Sequence, residues 1–382
     1  MRMQDMELKW DNMRRGIDGQ ADLLRTAPQA LYAELREVLP GPAPSRLYLV
    51  GCGDSHYCGI AARWAIESWT GLSSEALESL EFSRYAVRTA PADALVVAVS
   101  NSGEVARSVE CLKFAQQQGI PTLGVTYNPD GRLARFSDSV LRYDYRDVGF
   151  GPGTMSYLAS VLALMVTGLR VAELNGAMDV AAVEHQLEVI ADLGAAMEAT
   201  VKACELPARE LGERMQEHDD IFLVGGGPNY GTALFAMAKM IESSRHNSVA
   251  QELEEWAHEQ YFVCREGTWT VVFAPQGAAV DRAREQLRAV RDVEGMAVVA
   301  CDADDEETAA LADVALPVTC GGDELLSPLL YCAPAELLAY HFAVRNGKVM
   351  LGFDDAHRKQ VNFRQIFDSN IPSEIPDLGR RA

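Results

Sequence analysis

The sequence predicts an α/β protein of two domains, each a parallel sheet flanked by helices, on three observations. Short apolar runs unbroken by polar residues recur, as in RLYLVG from residue 46, ALVVAVS from 94 and PTLGVTY from 121. Strands of that composition are buried on both faces, the habit of parallel sheets. Glycine- or serine-rich turns and helical text follow them, GEVARSVECLKFAQQQG after the second run for example, and such alternation is the grammar of α/β folds. The same order of events returns at a spacing of roughly 175 residues, which marks a duplicated domain and is far too long for a solenoid.

In chain order, RLYLVG is the first strand and AARWAIESWTG the helix behind it, ending at a glycine suited to a left-handed cap. ALVVAVS, PTLGVTY and SVLRYDY continue the first set, and after the turn GFGPG two long helical stretches run from Thr154 to about Asn175 and from about Val180 to Cys204. The second set is IFLVGGG, the helical NYGTALFAMAKMIESS, WTVVFAP, helical RAREQLRAVRDVEG, MAVVAC and DVALPV. The expected division is 1–45 as an N-terminal helical segment, 46–200 as the first domain, 201–350 as the second and 351–382 as a weakly periodic tail lying over something.

Composition narrows the function classes. At 382 residues, 48% hydrophobic and 23% charged, the chain has the length of two domains and the make-up of a packed globular protein. A net charge of −21 repels nucleic-acid phosphates, so no nucleic-acid partner is expected, and local donors must hold any anionic ligand. No run of 18 apolar residues free of charge or turn signals is apparent, and the opening MRMQDMELKWDNMRR has no apolar core or cleavage site. The expectation is therefore no membrane partner and a cytoplasmic location. Eight cysteines lie scattered without CxxC spacing and are expected as reduced, mostly structural thiols. No His, Cys and acid combination has zinc-ligand spacing, so neither metal nor cofactor is expected. The run DADDEET reads as a solvated loop and helix start.

Ligand sites of parallel sheets form at the carboxyl ends of strands, where helix N-termini present free N–H groups to anions. Gly51-Cys52-Gly53-Asp54-Ser55, Ser100-Asn101-Ser102-Gly103-Glu104 and Gly225-Gly226-Gly227-Pro228-Asn229 occupy that position. Each alone could be an ordinary turn or cap; two at successive strand ends of one domain point to a site. A nicotinamide site does not fit, because the turn lacks GxGxxG. On the helix after Gly227, Lys239 and Glu242 share a face and read either as an exposed ion pair or, facing a pocket, as a proton shuttle. In Glu254-Glu255-Trp256-Ala257-His258, the histidine follows two carboxylates; His246 and His357 have less around them.

GCGDSHYCG, SNSGEVARS, ALFAMAKMIESS and EEWAH together resemble the two-domain SIS (sugar isomerase) family, in the pattern of the isomerase half of glucosamine-6-phosphate synthase. The likeness runs over roughly residues 46 to 365. It implies two flavodoxin-like domains and a homodimer with a shared active site. It also implies an anionic sugar, a sugar phosphate, held by Gly53, Asp54, Ser55, Ser100, Asn101 and Ser102. By matching positions, Glu242 falls at the family's proton-transferring carboxylate, Lys239 at its neighbouring lysine and His258 at the histidine linked to ring opening. That histidine resembles one contributed by the partner subunit.

The departures shape the expectation. Asp54 stands where a hydroxyl residue is usual and Val105 where a threonine is, while Arg107 could compensate as an anion ligand. Gln365, after Arg364, stands at the position of the family's C-terminal lysine. The likeness begins about 45 residues in with no N-terminal cysteine nucleophile, so glutamine-dependent synthesis is not expected. The resemblance implies an aldose–ketose isomerase-type enzyme for a phosphorylated six-carbon sugar or amino sugar. Its alternatives are an isomerase for a sulfonated sugar and a non-catalytic sugar-phosphate sensor.

Overall fold

The computed structural model describes residues 10–379. Its strands are β1 (Leu47–Gly51), β2 (Ser74–Glu78), β3 (Leu95–Val99), β4 (Thr122–Thr126), β5 (Ser139–Arg142), β6 (Ile221–Gly225), β7 (Val249–Glu252), β8 (Trp269–Ala274), β9 (Met296–Asp302) and β10 (Val314–Val318). They form two five-stranded, all-parallel sheets, ordered β2-β1-β3-β4-β5 and β7-β6-β8-β9-β10. The two orders are the same topology, so the repeat in the sequence is a repeat of the fold. In an order of this kind the ligand crevice lies where the winding reverses, between β1 and β3 in one sheet and between β6 and β8 in the other.

Eight strands coincide with the apolar runs. The two others, β2 (SEALE) and β7 (VAQE), are edge strands with little burial. An edge strand covered on one side needs no apolar run, which is why the text does not announce it. Pro317, in β10, sits on the opposite edge, where a missing N–H is tolerated.

The chain makes two compact units that interleave along the sequence, where the sequence suggests breaks near 45, 200 and 350. Of the described residues, one unit holds the second sheet, with 10–26, Tyr145–Leu158 and Glu188–Asp354. The other holds the first sheet, with Ala27–Asp144, Ala159–Leu187 and 355–379. The first-sheet core is Tyr48, Val50, Phe82, Val96, Leu112, Phe114 and their neighbours, with Ile375 of the tail packed against it. The second-sheet core gathers Val224, Trp256, Val272, Leu287 and Val299. Among the described residues one helix, Met155–Leu174, is long and apolar enough to cross a membrane, but 94% of its apolar window is buried.

Candidate functional site

The first-sheet crevice is built by two turns. Gly51 ends β1, and a Cβ there would lie 2.4 Å from the carbonyl carbon of Ser55, so only glycine lets the strand turn this tightly into the helix Asp54–Thr70. The N–H groups of His56 and Tyr57 donate to the Gly53 carbonyl at 2.8 and 3.0 Å, which starts the helix and sets Asp54 and Ser55 in its first turn.

The second turn follows β3. The Gly103 N–H donates to the Ser100 carbonyl at 3.0 Å, and Gly103 has φ +67°. Asn101 Oδ1 accepts from the Tyr143 hydroxyl at 3.2 Å, which accepts from Ser160 at 3.2 Å. The Ser102 hydroxyl accepts the Glu104 N–H at 3.2 Å, and its carbonyl accepts Asn128 Nδ2 at 3.0 Å. Ser100 is 1% exposed, and its hydroxyl has no hydrogen-bond partner among the described residues. A buried hydroxyl left unpaired costs about 1–3 kcal/mol, a cost that a ligand acceptor would remove.

Charge around this turn is already engaged. The Glu104 carboxylate accepts the Arg132 backbone N–H at 3.1 Å and its Nε at 2.7 Å, and the same guanidinium donates to the Phe367 carbonyl at 2.6 Å. Arg107 pairs with the fully buried Glu110, which also takes Arg84 and Ser83. Arg107 further donates to the Ser369 hydroxyl at 3.2 Å and to the Asn370 carbonyl. Its guanidinium is thus bound to the tail. Gln365 is exposed on the helix Ala356–Phe367 of this unit, and the tail beyond is tied down by Gln117 on the Ser373 carbonyl at 2.7 Å and by Arg88 on the Pro376 carbonyl.

A residue the sequence reading passed over is His56, 7% exposed and 3.7 Å from the Glu78 carboxylate at the end of β2. Burial pushes its pKa below the ordinary value, with Glu78 opposing. Its place directly after Ser55 in the first turn was the available signal.

In the second-sheet unit, Lys239 and Glu242 lie on the helix Asn229–Ser244, with Nζ to Oε2 at 2.5 Å. The pair is not a surface pair, since the lysine side chain is 0% exposed and the glutamate 31%. Nζ also stands 5.1 Å from the Phe235 ring centre, and Phe235 stacks on Tyr157 at 3.6 Å. An aromatic floor therefore fixes the ammonium, and the ammonium fixes the carboxylate. His258 ends the short helix Glu255–His258; its side chain is 65% exposed and its ionic partner is Glu254 at 3.4 Å. Phe262, just beyond, is 75% exposed. The hydrogen bonds and ion pairs of His258 do not join it to Glu242.

Residues 43–170 match the SIS domain model. Among curated relatives, the glutamine–fructose-6-phosphate aminotransferase (isomerizing) of Gloeobacter violaceus is 27% identical over 79% of this chain and 49% of its own. The chain spans about half the length of the curated relatives it matches. Among solved structures, the C-terminal domain of glucosamine-fructose-6-phosphate aminotransferase from Francisella tularensis superposes with TM-score 0.79 at 20% identity, covering 89% of this chain and 97% of that one. Tagatose-6-phosphate ketose/aldose isomerase from Escherichia coli gives 0.72 at 17% identity, covering 90% and 94%. The SIS domain match thus covers the first sheet, and the second sheet repeats its topology.

Proposed function

We propose that the protein is an aldose–ketose isomerase-type enzyme acting on an anionic six-carbon sugar or amino sugar, by isomerisation, deamination or ketosamine-phosphate deglycation. The observation that carries the reading is the Lys239–Glu242 pair, a partly open carboxylate fixed by a fully buried ammonium. In the isomerisation, Glu242 takes the proton from C2 of the open-chain aldose while the C1 oxygen gains one, giving an enediol. The proton then returns to C1 as the C2 hydroxyl loses its own, giving the ketose with no net proton. A positioned carboxylate contributes about 10²- to 10⁴-fold as such a base.

Ser55, Ser100, Asn101 and Ser102 hold the anion in this reading, with the unpaired Ser100 hydroxyl as its first donor. The names of the relatives, an aminotransferase of fructose 6-phosphate and a ketose/aldose isomerase, favour a sugar phosphate. A second reading, a sulfonated sugar, is favoured by Arg107, whose charge is spent on Glu110 and the tail; with Asp54 in the other turn, the crevice suits a monoanion. The proposed partner is a second copy of the chain, over the exposed Phe262 and Val263 beside His258. Solvent-deuterium exchange at C1 and C2, run over phosphorylated and sulfonated hexoses and hexosamines, tests the function. Exchange with one class identifies the anion. Binding without exchange in every case would make the protein a sensor and overturn the proposal.

A further inference from the structure

The crevice of the second sheet repeats the geometry of the first. A Cβ on Gly225 would lie 2.2 Å from the Asn229 carbonyl oxygen, as one on Gly51 would collide with Ser55, four residues on in both cases. Gly227 has φ +53° where Gly53 has +55°. Here, however, the turn after β8 reads Pro275-Gln276-Gly277-Ala278 and offers no hydroxyl.

In place of hydroxyls the crevice holds a carboxylate. Glu324 Oε2 accepts the Ala278 backbone N–H at 2.8 Å. The carboxyl group lies so close over Gly277 that a Cβ there would stand 2.3 Å from its carbon, and its other oxygen comes within 3.8 Å of the Cβ position of Gly227. The arm that carries it is anchored: the Ser327 hydroxyl donates to the Glu324 carbonyl at 2.6 Å and accepts Asn229 Nδ2 at 2.6 Å. Asn229 is itself the first residue of the helix that follows β6. Main-chain donors at the reversal point of a parallel sheet take anions, and a tethered side-chain carboxylate takes them without the entropy lost by a free ligand.

We infer that Glu324 is the built-in anion of the second cradle, and that it confines external anion binding to the first sheet. Removing the carboxylate frees the Ala278 N–H and the space above Gly277 for a small oxyanion. The inference does not depend on the catalytic reading, because its measure is the difference between variant and wild type.

The test is titration of wild type, E324A and E324S with inorganic phosphate by isothermal calorimetry, with circular dichroism as the check on folding. Each folded variant is expected to bind one phosphate per chain more than wild type, and to gain more thermal stability from phosphate than wild type does. E324Q, which keeps the cradle filled by a group of the same size, is expected to bind as wild type does. Equal stoichiometry for E324A, E324S and wild type would overturn the inference, as would an extra phosphate on E324Q. Failure of both E324A and E324S to fold with phosphate present would overturn it too, since the carboxylate would then be a strut that no anion replaces.

Discussion

Replacing Gly103 by alanine tests how the first cradle is held. The residue sits at φ +67°, where a side chain costs about 1–2 kcal/mol. Its new Cβ would stand 3.2 Å from the Asn128 carbonyl oxygen and from Thr126 Oγ1, and 3.3 Å from Gly131 Cα, all tighter than ordinary contact. Those neighbours cannot yield independently, because Asn128 holds the Ser102 carbonyl and Thr126 lies 3.4 Å from the Asn101 carbonyl. A total near 2 kcal/mol is expected, which for a unit of this size lowers the melting temperature by about 4–8 °C. The φ penalty is common to the free and bound states and cancels in binding; the crowding that displaces the turn, about 1 kcal/mol, corresponds at about 1.4 kcal/mol per factor of ten to roughly 5-fold weaker anion binding. Gly119 is the matched control, with φ +73° and nothing within 4 Å of its Cβ position. G119A should lose melting temperature and keep its affinity, whereas G103A should lose both, by calorimetric titration and thermal unfolding. Wild-type affinity in G103A, or an equal loss in G119A, would refute the reasoning.

Three further outcomes follow from the same geometry. S100A removes a buried hydroxyl without a partner, so the ligand-free protein should be as stable as wild type or slightly more so, while anion affinity falls roughly 10- to 100-fold; thermal unfolding with and without ligand separates the two. R107A leaves the buried Glu110 with Arg84 and Ser83 and frees the Ser369–Asn370 segment. It should cost about 1–3 kcal/mol and speed proteolysis of the tail, with a smaller effect on anion binding, as limited proteolysis and titration would measure. Burial lowers the pKa of His56, His246 and His341 below the ordinary histidine value. The unfolded chain therefore takes up protons first, and stability should be level above about pH 6.5 and fall as pH drops below it. A melting temperature that rises on acidification from pH 7 would contradict this.

Much of the fold was legible because buried parallel strands must be apolar throughout. The runs at Leu47, Leu95, Thr122, Ile221, Trp269 and Met296 could be little else. β2 and β7 were silent because an edge strand pairs on one side only and tolerates SEALE and VAQE. The interleaving of the units was hidden for another reason: Ile375 reaches the first-sheet core across some 250 residues of intervening chain, and sequence patterns report neighbours along the chain. At the site, the glycines and serines announced the two turns, since tight approach and short donors restrict residue type. The partners of Arg107, the burial of Lys239 and the seat of Glu324 depend on contacts distant in sequence. A lysine and a glutamate three apart on a helix read the same whether the face is wet or buried.

The central claim is that Glu242 moves the proton. Once a sugar that exchanges with the wild type is in hand, the direct measurement is its rate of deuterium incorporation at C2 with E242Q. That variant keeps the size of the side chain and an oxygen facing Lys239. The expected result is a fall of about 10²- to 10⁴-fold with sugar affinity near that of wild type, while the buried Lys239 ammonium, left beside a neutral amide, lowers the melting temperature. Incorporation by E242Q at the wild-type rate would contradict the claim.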